Sequence, residues 1–121
     1  MKMKLVFQGR LRDALAQLES MDTNRSGHPV GMIYSDSPDL AMENSNCEVW
    51  MFLPTEVIPS EKNGLGQFID VETALDVATQ GDALASARGA ERLTETQRFR
   101  GIRHYAENDA YLDEGQLFEE P

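Results

Sequence analysis

Apolar residues in this chain fall into short runs and helical stripes that mark out successive elements. Lys2 to Gln8, centred on Leu5-Val6-Phe7, reads as a strand that meets Gly9. Leu11, Leu15 and Leu18 then share one helical face with Ala14 beside them, which predicts a helix from about Leu11 to Met21. Asn24 to Pro29 has loop chemistry. Val30 to Tyr34 is long enough for a buried strand. Ser37 is a good N-cap and Pro38 suits a first helical position, so a short helix through about Asn44 is expected. Glu48 to Leu53 is the strongest strand signal, and Pro54 stops it.

Val57 to Phe68, with Pro59, Gly64 and Gly66, reads mostly as loop. Asp70 is placed to cap a helix carrying Val71, Ala74, Leu75 and Ala78 on one face, with Gly81 ending it. Asp82 starts another short helix, interrupted at Gly89. Thr94 and Gln97 have capping-box spacing and predict one more helical turn. Gly101–Tyr105 and Ala110–Asp113 read as two strands around a turn at Glu107-Asn108-Asp109, and Leu117-Phe118 as a last edge strand. The order predicts one small α+β domain, residues 1–121, with a mixed or antiparallel sheet and helices packed against it.

Composition narrows the class. At 121 residues and 40% hydrophobic, the chain has enough apolar surface for a modest core. No apolar run approaches the roughly 20 residues of a membrane helix, and Leu5-Val6-Phe7 is too short for a signal peptide. The single cysteine, Cys47, has no internal partner, which makes a reducing cytoplasm the simplest compartment. No membrane contact is expected.

Net charge is −10, from 21 acids against 11 bases, so the overall field repels nucleic acid. Five of the bases lie between Arg88 and Arg103, and six acids with no base follow. That asymmetry is read in three ways: a soluble surface, an anion-binding stripe at 88–103, or an acidic face for a basic partner. P-loop, Cys-x-x-Cys, H-E-x-x-H and G-x-S-x-G patterns are all missing. His28 and His104 have no obvious metal-ligand companion, so no metal is expected.

Four segments carry the remaining signal. They are Leu5-Val6-Phe7-Gln8-Gly9-Arg10; Gly31-Met32-Ile33-Tyr34-Ser35-Asp36-Ser37-Pro38-Asp39-Leu40-Ala41; Glu48-Val49-Trp50-Met51-Phe52-Leu53 with Val57-Ile58; and Phe99-Arg100-Gly101-Ile102 with an acid-rich stretch after it. In order and spacing the series resembles small ADP-ribosyltransferase-fold proteins, among them short phage anti-CRISPR transferases and compact antibiotic-modifying members. Residues 5–10, 31–58 and 99–113 carry the likeness; residues 59–98 carry none.

The resemblance implies an ADP-ribosyltransferase-like fold and NAD as cofactor. Cleaving the nicotinamide bond passes through an oxocarbenium-like state, which a protein favours by clamping the amide, stacking on the ring and placing a carboxylate near the ribose. By resemblance, Gln8 and Gly9 sit at the first clamp, Tyr34 supplies the stacking face, and Ser35 and Ser37 offer hydroxyls. Glu107 is the first candidate for the acid, with Asp109 and Glu114 behind it, and Arg100 is placed to hold pyrophosphate. Gln8 stands where the family has His or Arg. It hydrogen-bonds without charge, and Arg10, two residues on, is a candidate substitute.

Each of these residues also has a plainer role. Gln8 suits a solvated strand end, Gly9 a turn, Tyr34 and Trp50 the core, Asp36-Ser37-Pro38 a helix start, and Arg100 a surface charge. Three functions therefore follow. One is an NAD-dependent ADP-ribosyltransferase, such as a phage-type inhibitor that modifies a host protein, with a catalytically inactive relative as its variant. Another is a non-enzymatic acidic inhibitor or adaptor that binds a basic protein partner. The third is a structural protein with no ligand.

Overall fold

A computed structural model describes residues 3–21 and 30–119; the loop expected at Asn24–Pro29, with His28 in it, lies outside the described residues. The three apolar runs expected as strands are strands: β1 at Lys4–Arg10, β2 at Val30–Ser35 and β3 at Asn46–Phe52. Two more, β4 at Glu61–Lys62 and β5 at Leu65–Asp70, arise within and just beyond the stretch expected as loop. Asn63 and Gly64 both have positive φ, so a tight turn joins β4 to β5 and the two glycines of this region serve a hairpin. All pairings are antiparallel, in the order β1-β3-β2-β5-β4. The α+β expectation holds, with an antiparallel sheet.

Alternation gives the sheet two faces. Ile33, Cys47, Val49, Met51 and Ile69 point to one of them and form the main core with Leu11, Leu15, Leu18, Val71, Ala74, Phe99 and Ile102. The helices cover that face. The first, α1, spans Leu11–Ala16 and continues as a 3₁₀ turn at Leu18–Met21, where one longer helix was expected. The helix expected after Ser37 is a single 3₁₀ turn at Pro38–Leu40.

The second α-helix, α2, runs Val71–Ala87. Asp70 caps it as expected, its Oδ2 accepting from Thr73 N–H at 2.9 Å. It does not end at Gly81. A Cβ there would overlap the Leu93 side chain, so this glycine serves close packing inside the helix. The helix ends instead at Gly89, whose φ of +91° allows the Ala90 N–H to bond back to Ala85 and its own N–H to bond to Ser86.

Helix α3 occupies Glu95–Asn108 and replaces the strand expected at Gly101–Tyr105; the strand expected at Ala110–Asp113 is an irregular segment after the helix, and the short α4, Glu114–Leu117, stands where the last edge strand was expected. Thr94 and Gln97 form the full capping box, at 3.1 and 3.0 Å, and it starts a helix of 14 residues where one turn was expected. Locally, Gly101 to Tyr105 reads as a strand running into the turn residues Glu107-Asn108-Asp109. Arg98, Phe99, Gly101 and Ile102 are nevertheless all buried on one helical face, and that periodicity decides the outcome. A smaller cluster of Ala85, Leu93 and Leu117 closes the far end of α2 and α3. Among the described residues, no helix is long and apolar enough to cross a membrane.

Arg98 joins three of these elements. Its side chain is 3% exposed, and it donates to Leu15 O at 3.0 Å, to both carboxylate oxygens of Glu19 at 3.0 and 2.8 Å, and to Asp82 at 3.2 Å. The guanidinium holds the Glu19 carboxyl below its usual value of 4.5. A carboxyl lowered by folding contributes stability above its unfolded pKa and loses it as pH falls through the folded one. Glu19 is therefore expected to weaken the protein on acidification below about pH 4.5, and Glu19→Gln to flatten that part of a stability–pH profile. Urea unfolding tests the hub directly. The pair Glu19→Gln/Asp82→Asn strands the buried charge and is expected to cost about 3 kcal/mol, and adding Arg98→Met to recover about half of it. A triple variant no more stable than the double would show that the guanidinium is not what the acids compensate.

Candidate functional site

The residues singled out by resemblance fall into two groups on opposite faces of the sheet. Gln8, Glu48, Tyr34 and Gln67 are successive cross-strand partners on β1, β3, β2 and β5, so their side chains share the face away from the helices. Gln8 and Tyr34 are thus on one side, with Glu48 between them. Arg10 is exposed at the end of β1 on the same side, opposite Asn46. Gly9 alternates with them and pairs with Cys47 toward the core.

This second face is not an open cleft at Tyr34. The segment Leu53–Ser60 returns over it, and Pro59 O accepts from Tyr34 OH at 2.6 Å and from Gln67 Nε2 at 2.8 Å. Tyr34 is 0% exposed, and burial pushes its hydroxyl above the usual tyrosine value of 10.0. Glu48 is buried too. Its Oε1 accepts from Trp50 Nε1 at 2.8 Å and Asn63 Nδ2 at 2.9 Å, while Lys62 Nζ sits 4.2 Å from the Trp50 ring centre. A carboxylate taken out of water needs such donors, and here one comes from Trp50 on the same strand and the other from Asn63 in the β4–β5 turn. Sequence reading had placed Trp50 in the core and missed Glu48. The only signal for it was an acid heading an apolar strand.

Ser35 and Ser37 do not point together. Ser35 is 0% exposed and donates to the Asp36 carbonyl at 3.0 Å. Ser37 takes a left-handed turn conformation, φ 45°, and its hydroxyl caps nothing. Cys47 lies in the core, where burial, reinforced by the neighbouring charge of Glu48, pushes its thiol up to about 12.

Arg100 and Glu107 lie on the helical side, in a groove of about 500 Å³ between α3, the Met42-Glu43 strap and the C-terminal segment. Phe99, Leu112 and Met42 form its apolar part, and Glu43, Arg100, Arg103, His104, Glu107 and Glu119 its polar part. Ser45 holds the strap: its Oγ accepts from Met42 N–H at 2.9 Å and its N–H donates to Met42 O at 3.0 Å. Arg100 Nη1 fixes the opposite wall by donating to the carbonyls of Gln116, Leu117 and Glu119 at 3.3, 2.9 and 3.2 Å. Arg103 is paired with Glu107 at 2.9 Å, one turn along the helix.

The whole basic stretch 88–103 is committed in this way. Arg88 pairs with Glu114 at 3.2 Å and Arg92 with Glu19 at 3.6 Å, while Arg98 is the buried hub. Only Arg98 is buried; Arg88 and Arg92 make half-exposed pairs, and each of the five has a partner within the chain. His104 bonds to Asn108 on its own helix. Among the described residues no three of His, Cys, Asp and Glu come together to hold a metal ion. Met42, Glu43, Phe99 and Leu112 were not legible as site residues, because nothing in their spacing joins three segments so far apart in the chain.

No protein-family model, curated protein or solved structure matches the chain. The likeness to ADP-ribosyltransferases therefore rests on the four quoted segments alone.

Two outcomes follow from the burial of Tyr34 and Cys47. Tyr34→Phe is expected to cost about 1 kcal/mol by removing one donor from Pro59 O, and Tyr34→Ala about 3–5 kcal/mol, measured by urea unfolding. A ring lining an open cleft would give almost no loss for either. Cys47 is expected to resist iodoacetamide at pH 8 in the folded protein and to react fully in denaturant; equal rates in both states would put the thiol at the surface.

Proposed function

We propose that this chain is a non-enzymatic acidic binding protein, an adaptor or inhibitor that engages a basic region of another protein. One observation carries this reading. The arginines of the 88–103 stretch have partners within the chain, Arg88, Arg92, Arg98 and Arg103 acids and Arg100 carbonyls, while other acids face out. Asp39, Glu61, Glu72, Asp76, Glu91 and Asp109 are exposed and enter no ion pair among the described residues. A surface of this kind steers a cationic partner and discriminates against acidic ones. A lone buried thiol suits a partner met in a reducing compartment.

The ADP-ribosyltransferase-like reading remains an alternative proposal, favoured by the single row that sets Gln8 and Tyr34 on one face with Glu48 between them. The residues do not fit the NAD clamp it requires. The Tyr34 ring has no open face, its hydroxyl is taken by Pro59, and Arg100 and Glu107 lie beyond the sheet.

Two measurements separate the readings. Immobilised protein is expected to retain basic proteins from a cell extract at low salt and to release most of them near 0.5 M salt, where the Debye length has shrunk to about 4 Å. Its melting midpoint is expected to stay unchanged in millimolar NAD. A rise of a few degrees with NAD, lost in Tyr34→Ala, would restore the transferase.

A further inference from the structure

We propose that the hollow between α2, α3 and the segment that follows α3 is a binding site for a small uncharged apolar molecule, the size of an aromatic ring with a short alkyl group. This site is independent of the acidic-binder reading.

The hollow has a volume of about 210 Å³. Val77, Gly81 and Leu84 of α2 line it, with Gly101 of α3 and with Leu93 and Leu117 from either side of α3. All of these are buried except Leu84, which is half-buried. Water in such a space finds few hydrogen-bonding partners, so replacing it with carbon is favourable. An apolar space of roughly 150 Å³ holds one benzene molecule, and this one has room for a ring and a short side chain.

The lining has one charge, Arg98, and that charge is already matched. Its Nη1 donates to Leu15 O and to Glu19, and its Nη2 to Glu19 and Asp82, which uses all four Nη hydrogens. An anion would compete with two carboxylates already in place, and a cation would meet a guanidinium. An uncharged ligand is what remains.

Gly101 separates a kept space from a packing remnant. It sits inside α3, where glycine is a poorer helix former than alanine. Gly81 has a packing reason, because a Cβ there would overlap Leu93. Gly101 has no such reason. A Cβ there would lie 3.4 Å from Leu117 Cδ1 and 3.9 Å from Val77 Cγ1, both ordinary contacts, and its φ is not positive. Since Val77 and Leu117 both line the hollow, what alanine would remove is part of its volume. The hollow meets solvent at Gln80 and Tyr111, the two exposed residues of its lining. Tyr111 belongs to the irregular stretch between α3 and α4, its ring edge-on to Tyr105 at 5.3 Å, so a ligand passes by the turning of a side chain and not of a helix.

Titration with toluene, followed by methyl and amide NMR signals, tests the site. Saturable shifts are expected at Val77, Leu84, Gly101 and Leu117, with a dissociation constant below about 1 mM and a raised melting midpoint. Benzoate, a similar ring carrying a charge, is expected to bind at least roughly tenfold more weakly. Gly101→Ala is expected to raise the midpoint of the free protein by a few degrees and to weaken toluene severalfold. Leu84→Trp, which puts a larger ring into the space, is expected to weaken it roughly tenfold or more, and Glu72→Gln to leave it unchanged. A gain in stability together with a loss of binding in Gly101→Ala cannot come from misfolding. The proposal is overturned if toluene gives no saturable shift, if the shifts fall on other residues, if Gly101→Ala binds as tightly as the parent, or if benzoate binds as well as toluene.

Discussion

A guanidinium removed from water must be given hydrogen-bond acceptors and countercharge by the residues around it, and Arg98 draws the helical layer together to meet that demand. Its acceptors come from the end of α1, from the 3₁₀ turn after it and from α2. Asp82 does double duty, because its other oxygen accepts from the Leu93 N–H at 2.9 Å. That bond seats Leu93 against Gly81, the position where α2 has no room for a side chain. The approach of α2 to α3 and the burial of Arg98 are therefore one event. Buried ion pairs of this kind contribute more to specifying one arrangement than to net stability, since desolvation offsets much of the attraction.

The sheet solves a different problem. One face is covered by helices, and the other is covered along its middle by the strap that follows β3. Tyr34 and Gln67 hold that strap through a single carbonyl, and Asn63 reaches Glu48 from the next turn. Glu48, Tyr34 and Gln67 of the polar row across this face are thus occupied by structural bonds, while Gln8 at its edge stays exposed. Chemistry that needs open polar groups has little left to use there, whereas the helical side offers a groove whose two walls are fixed by Ser45 and Arg100.

How far the sequence spoke for itself depends on how local each signal was. β1, β2 and β3 were legible because each is a short apolar run with a clear stop, and the start of α2 because Asp70 is followed at once by a helical stripe. β5 was hidden because two glycines made a hairpin look like a loop. Gly81 was misread because a helix-ending glycine and a close-packing glycine look alike until the neighbouring Leu93 is in place. α3 was misread because the turn residues at 107–109 drew attention to short strands on either side, while its buried face of Arg98, Phe99, Gly101 and Ile102, half of it glycine and arginine, did not look apolar. Arg100 and Glu107 did fall in the groove, though for neither of the roles the resemblance gave them. Glu43, Met42 and Leu112 join them only through tertiary packing, which no spacing rule records.

Charge and shape divide the work at an acidic binding surface. Long-range attraction by the negative surface raises the rate at which a cationic partner arrives, but it is screened by salt and selects weakly among basic proteins. Exposed apolar anchors add residence time, yet alone they would hold any hydrophobic chain. A ligand with the charge but no apolar group to match the exposed apolar surface, or the reverse, leaves part of such a surface unmatched. Specificity then comes from the penalty on incomplete partners as much as from the attraction of complete ones.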